Sequence, residues 1–409
     1  MMNKKKIIII LCLLVCLFCS FHAVSAATND LNNTNATSDS KLLSLSTNDN
    51  QVVGSGGDSF TVLNNVINGN TDTEITLGQN YTYVDGDSAF INGIVISRSL
   101  TINGNGKALD GSNLARILII NPRVTVTLNN IVFVNGNSPS GSPGGALWAK
   151  GTVHIDNCRF IDNTVNFANG GAVCLAGSGS TLNNSYFEGN LAIRNTANEA
   201  SGGAGAIFIN ANNTIIENTI VTKNNAGLNG GGIGSSGNHV QNCTIINCTI
   251  TNNTAGGSAG GIGMQSRNFR IFNSTFKYNE AKGSYKENPT YPGNGGGLVM
   301  RGWDSYAYNC TFINNTAKQH GGAVFLTNTS YNPLNNNTGF ELCIFINNTA
   351  GSNGGAVDWA AGATHGYILD SIFTNNTARR SGGAVHWSGH YGTISNSTFT
   401  HNNATGEVT

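Results

Sequence analysis

Charge is scarce in this chain. Only 10% of its 409 residues are Asp, Glu, Lys or Arg, and 21 basic residues balance 21 acidic ones. There is no basic field to hold nucleic acid and no acidic tail. Long apolar runs are missing as well, apart from one at the start. No later stretch approaches the roughly 20 residues that span a bilayer, so the remainder reads as a soluble ectodomain, touching a membrane only through its N-terminal segment. Cysteine is thinly spread: Cys12, Cys16 and Cys19 lie in the first run, leaving Cys158, Cys174, Cys243, Cys248, Cys310 and Cys343, with no Cys-x-x-Cys pair. That spacing makes neither a compact disulfide framework nor a metal-ligand cluster, and no metal or other cofactor is expected.

The first run has the layout of a secretory signal. Lys4, Lys5 and Lys6 precede an apolar stretch from Ile7 to Phe18, and small residues follow at Ala23-Val24-Ser25-Ala26-Ala27. Cleavage after Ala26 is expected, the alternative being an uncleaved anchor. The implied organisation is a signal over residues 1–26, a polar Asn/Ser/Thr-rich lead-in over 27–53, an N-terminal cap with irregular coils over 54–127 and tandem repeats over 128–409.

What the chain has in abundance is glycine (53 residues) and asparagine (63) alongside 39% hydrophobic residues, a composition that still supplies a core. These residues recur in register. Large apolar anchors stand at Phe133, Phe160, Phe187, Val221, Ile250, Phe276, Phe312, Phe345, Phe373 and Phe399. Three residues after the anchor comes Gly136 and then, in every later copy, Asn; a Gly-Gly pair follows in all but the last. Three residues before the anchor the column is Asn-rich, running from Asn130 to Asn396 with Leu342 and Asp370 as exceptions. Asn tolerates a left-handed backbone, so this column reads as a tight bend. Apolar residues lie on both sides of the bend, and their period-2 phase shifts across it. Short strands joined by corners produce that shift; a helix does not.

The expected fold is therefore all-β, a right-handed parallel β-helix of about ten coils, each built as strand, corner, strand, looser turn and strand, with the anchors stacked in one internal column. Two residues before the anchor, small side chains (Cys158, Ser185, Cys248, Cys310, Cys343 and others) read as buried packing, with Cys310 and Cys343 as vertical neighbours that either oxidise or stay reduced. Ahead of the repeats, Phe60, Leu63, Val66 and Ile67 fall at helical spacing behind Asp58 or Ser59, as in a capping helix.

The anchor, the following Asn and the Gly-Gly-Ala-Val/Leu run resemble the repeats of chlamydial polymorphic membrane proteins. They resemble still more the adhesin-like surface proteins of methanogenic archaea, a likeness that extends to residues 93–120, "GIVISRSLTINGNGKALDGSNLARILII". The resemblance implies display at the cell surface and contact with glycans or proteins of other cells, or with a cell-wall polymer. Its departures are the lack of a C-terminal β-barrel and of wall-binding or immunoglobulin-like modules. The tenth coil stops before its Gly-Gly pair, and the expectation is a longer parent protein, or an open end that self-associates.

The same fold carries polysaccharide lyases and hydrolases. The carboxylates of the coils, such as Asp156, Glu188, Glu199, Glu287, Asp370 and Glu407, do not recur in one column, so no enzyme is expected; the alternatives are a polysaccharide-active enzyme or a passive wall coat. The best polar constellation lies three residues past the second glycine of each pair, where Phe325, Asp358 and His386 occupy successive coils, followed by Trp359 and Trp387. It reads as outward decoration of a strand, as a sugar-binding strip of Asp358, Trp359, His386 and Trp387, or as a catalytic Asp-His pair. Asn-x-Ser/Thr sequons such as Asn242, Asn314 and Asn375 are candidates for glycosylation.

Overall fold

The computed structural model describes residues 57–406 except 139–140, 195–201, 236, 238–239, 284–291 and 328–336. The expected signal and lead-in, and Glu199, Glu287 and Glu407, lie outside the described residues. Among the described residues, four parallel sheets of 13, 12, 11 and 10 strands surround the main apolar core, and neighbouring strands in each sheet are one coil apart in sequence. The result is a parallel β-helix of about eleven turns.

One coil shows how the sequence makes the turn. A pre-bend strand (Tyr306–Tyr308) leads to an anchor strand (Thr311–Ile313), a short corner strand (Thr316–Ala317) and a glycine strand (Val324–Thr327). The corner strand is a fourth strand beyond the three expected. It exists because there are two left-handed bends, one before the anchor strand at Asn309 (φ 51°) and one after it at Asn314 (φ 53°). The first bend recurs at every expected position, including Leu342 and Asp370. The second is taken by Asn135, Asp162, Gly189, Lys223, Asn252, Tyr278, Asn314, Asn347, Asn375 and His401, half of them Asn but with Lys, Tyr and His admitted as well. The looser turn ends on Gly321, whose φ of 64° suits glycine. Its neighbour Gly322 is required for a different reason: a Cβ there would lie 2.1 Å from the Gly355 carbonyl oxygen of the next coil.

Inside, the anchor rings stack face to face, with centroids 4.6 Å apart for Phe133, Phe160 and Phe187 and 4.5–4.8 Å apart from Phe312 to Phe399. Beside them runs a column of buried asparagines from Asn163 to Asn376, which the half-buried Asn402 completes. Each side-chain amide donates to the Oδ1 of the next, as Asn315 does to Asn348 at 3.0 Å, and to the carbonyl of an earlier anchor, here Phe276 at 3.0 Å. Each backbone N–H in the column also donates to the next Oδ1. The small column works in the same way: Ser185 Oγ accepts from Cys158 N at 3.1 Å and donates to the Asn183 carbonyl at 2.7 Å. Its cysteines are buried free thiols, and burial pushes those of Cys158 and Cys248 up to about 12. They are therefore expected to resist thiol reagents until the coils unfold. Rapid labelling of the native protein would contradict this packing.

The capping helix, Phe60–Asn68, begins at the N-cap Ser59 and buries Phe60, Leu63 and Ile67 over the first coils. Its anchor is Asp87, a buried carboxylate that accepts from Phe60 N, Thr61 N, the Thr61 hydroxyl and Val84 N at 2.7–3.1 Å. Burial pushes this carboxyl upward, but the Thr61 hydroxyl and the three backbone donors outweigh it and hold it below the usual range. Because the folded value is lowered, the stabilisation is present above about pH 4 and lost as pH falls through the folded value. Asp87→Ala is expected to cost about 2–4 kcal/mol at neutral pH. Asp87→Asn should flatten the acid limb of the unfolding curve, which a pH series of urea melts would show.

Candidate functional site

The glycine sheet places Phe325, Asp358 and His386 in register on successive coils, as the sequence spacing implied. Asp358 is nearly buried, and its Oδ2 lies 3.1 Å from His320 Nδ1 and 3.3 Å from His386 Nδ1. Both imidazoles are partly exposed. His320 comes from the turn just before Gly321, outside any strand column, so only the fold brings it to Asp358. One carboxylate oxygen facing two imidazoles is chemically versatile: it fixes the orientation of a ring whose other nitrogen is left for proton transfer.

Trp359 and Trp387 do not belong to this surface. With Asp358 facing outward, strand alternation turns the next side chain inward. Trp359 is 1% exposed, stacked on Trp387 with centroids 4.2 Å apart and edge-on to Phe340. Trp387 is half-buried and packed against the same core. The expected aromatic sugar strip is corrected: Trp359 fills the helix interior and Trp387 stacks on it from within, so the two indoles do not line the surface that carries Asp358 and His386.

A group of half-buried, outward-facing aromatics lies on another sheet. The pre-bend strands Arg270–Phe272, Tyr306–Tyr308 and Tyr367–Leu369 turn Ile271, Ala307 and Ile368 inward. Their outward neighbours are Arg270, Phe272, Tyr306, Tyr308 and Tyr367, all half-buried or exposed. Phe272 meets Tyr306 edge-on at 5.6 Å and Tyr308 at 6.4 Å, and the Arg270 guanidinium lies 5.9 Å from the Tyr306 ring. Gly339 sits in register between Tyr306 and Tyr367. A Cβ on it would come within 2.5 Å of the Tyr367 ring, so that ring lies across the bare backbone. Burial, then Glu341 and Tyr306, push the Tyr367 hydroxyl up to about 12, and it stays a neutral donor. The corner before this face carries Trp303 with the Arg267 guanidinium 5.7 Å away. The signal was present in the sequence: other coils place mainly Thr, Asn, Ile or Glu at these outward positions, and only these read RIF, YAY and YIL.

A family model of the Chlamydia polymorphic membrane protein repeat matches residues 309–327, 342–358 and 370–386. Three stretches of the chain are similar to that repeat. The three matched repeats contain His320, Asp358 and His386, and they bear on the chlamydial part of the expected resemblance, not on the archaeal part. No curated protein matches the chain.

Among solved structures, a tailspike protein of Acinetobacter baumannii bacteriophage Fri1, a capsular polysaccharide depolymerase, is 11% identical with a TM-score of 0.43, the match covering 80% of this chain and 57% of the tailspike. The chain thus spans little more than half the tailspike's length. PfbA, a surface adhesin of Streptococcus pneumoniae, is 11% identical with a TM-score of 0.40, covering 87% of this chain and 91% of the adhesin. A pectate lyase, Pel9A, is 15% identical with a TM-score of 0.36, covering 79% of this chain and 70% of the lyase. The parallel β-helix is thus shared by adhesins and polysaccharide-active enzymes. The expectation that a chain with these repeats is no enzyme is corrected: with a depolymerase and a lyase among its structural neighbours, that exclusion does not stand.

Proposed function

We propose that this protein is displayed outside the cell or on its surface, where it binds polysaccharides or glycans of other cells or of a cell wall, in the manner of an adhesin. The observation that supports this reading is the outward face of Phe272, Tyr306, Tyr308 and Tyr367. Tyrosine offers an apolar ring face to a sugar and a hydroxyl to its polar edge, at little cost in side-chain freedom. A parallel β-helix repeats such groups at the strand spacing along a rigid, extended surface suited to a polymer. Immobilised-glycan binding by the full chain tests it. Saturable retention is expected for the native protein, with a loss of at least about tenfold in the Tyr306→Ala/Tyr367→Ala variant, since each aromatic contact contributes about 1 kcal/mol. Equal retention of the two proteins would remove this face from the reading.

A second reading is favoured by Asp358 and its two imidazoles, an arrangement that suits acid-base cleavage of the bound polymer. If it holds, incubating the protein with polymers it retains releases reducing or unsaturated ends, and Asp358→Asn abolishes that release while leaving retention intact. Absence of new ends with every retained polymer would dispose of it.

A further inference from the structure

Gly234 and Gly263 are register neighbours on the outer side of the glycine sheet, set between Phe208 on one side and Val299 on the other. Two successive coils therefore lack an outward side chain where the flanking coils carry large ones. Ala204 and Ala259 pack close over the two glycines, and beside Gly263 and Val299 lies a cavity of about 100 Å³ that Asn229, Ser258, Gln265 and Arg301 also line. Gln265 and Arg301 are themselves paired in register. From Arg301 the surface continues round the corner through Arg267 against Trp303 to Arg270 against Tyr306. Three arginines thus line one path from the notch to the aromatic face, with Asp304 and Glu341 as the acids beside it, in a chain whose overall charge is zero.

We infer that the ligand is an anionic polysaccharide, one of whose carboxylates enters the notch at Arg301 while neighbouring sugar rings lie on Trp303 and the tyrosine face. This rests on the polysaccharide-binding reading and names its ligand class. The notch accommodates a charged substituent but not a whole sugar chain. Arginine is the side chain whose planar fork matches a carboxylate. Hydroxyl and amide groups of Ser258 and Asn229 supply the remaining polar wall. A neutral polymer would gain the ring contacts alone, so recognition of charge is the property that separates this inference from the reading beneath it.

The test is titration of the full chain with a polyuronate and with the same polymer after its carboxyl groups are reduced to alcohols, at low and high salt. The native protein is expected to bind the polyuronate at least about tenfold more tightly than the reduced polymer, with an advantage that shrinks as salt rises. Arg301→Gln should abolish the advantage and Arg301→Lys should retain part of it, both with unchanged unfolding midpoints. Gly263→Ala narrows the notch, its Cβ meeting the Ala259 Cβ at 3.0 Å, and should weaken polyuronate binding selectively. Equal binding of the two polymers overturns the inference and leaves the polysaccharide reading standing. Binding of neither polymer or of any neutral glycan sinks both. An advantage that survives Arg301→Gln overturns the assignment of the notch.

Discussion

Asn315→Leu is expected to be among the most damaging single substitutions in the repeats, although it replaces a polar side chain in a buried column by an apolar one of similar size. The Asn315 Oδ1 accepts from both the backbone N–H and the side-chain amide of Asn279, and its amide donates to Phe276 and Asn348. Leucine removes all four bonds and strands donors and acceptors of the two adjoining coils where water does not reach. A buried donor or acceptor without a partner costs about 1–3 kcal/mol, so the expected loss is on the order of 4 kcal/mol or more. Asn315→Asp should be at least as harmful at neutral pH, because it buries a charge among acceptors and removes the two donors. Urea unfolding followed by circular dichroism would measure both. A midpoint close to that of the native protein would mean that the asparagine column does not hold the coils together.

The second large effect is expected at Trp359. Replacing a buried tryptophan by alanine typically costs about 3–5 kcal/mol. Here the ring also packs directly on backbone, since a Cβ on Gly366 would fall 1.9 Å from it. Trp359→Ala leaves Trp387 without its stacking partner and opens a cavity beside Phe340. The loss should appear as early unfolding of the C-terminal coils, because stability in a solenoid is carried by nearest neighbours. Glycan retention below that transition should be unchanged, as the indole faces away from every outward surface.

These two residues show where the sequence was legible and where it was not. The bend before the anchor could be read because Asn dominates a position whose backbone is left-handed, and the anchor stack because large apolar residues recur at a nearly constant interval. The asparagine after the anchor was visible as a pattern, but its role as a buried ladder depends on the inward direction of the side chain, which the second bend sets. That bend is Asn in five of ten coils but also takes Lys223, Tyr278 and His401, a weaker signal than the Asn column one residue further on, which masks it and the corner strand it creates. In the candidate site, the alignment of Asp358 with His386 followed from counting. His320 did not, because it arrives from a turn. Placing Trp359 beside Asp358 on one face overlooked the strand alternation that sends consecutive side chains to opposite faces. The tyrosine face follows from the same alternation once Ile271, Ala307 and Ile368 are known to point inward.

The most direct test of the account compares three full-length proteins on one immobilised polysaccharide: native, Tyr306→Ala/Tyr367→Ala and Trp359→Ala, each below its own unfolding transition. The account requires retention by the native protein and by Trp359→Ala, with loss of at least about tenfold in the double tyrosine variant. Retention that survives in the tyrosine variant and disappears in Trp359→Ala would contradict it.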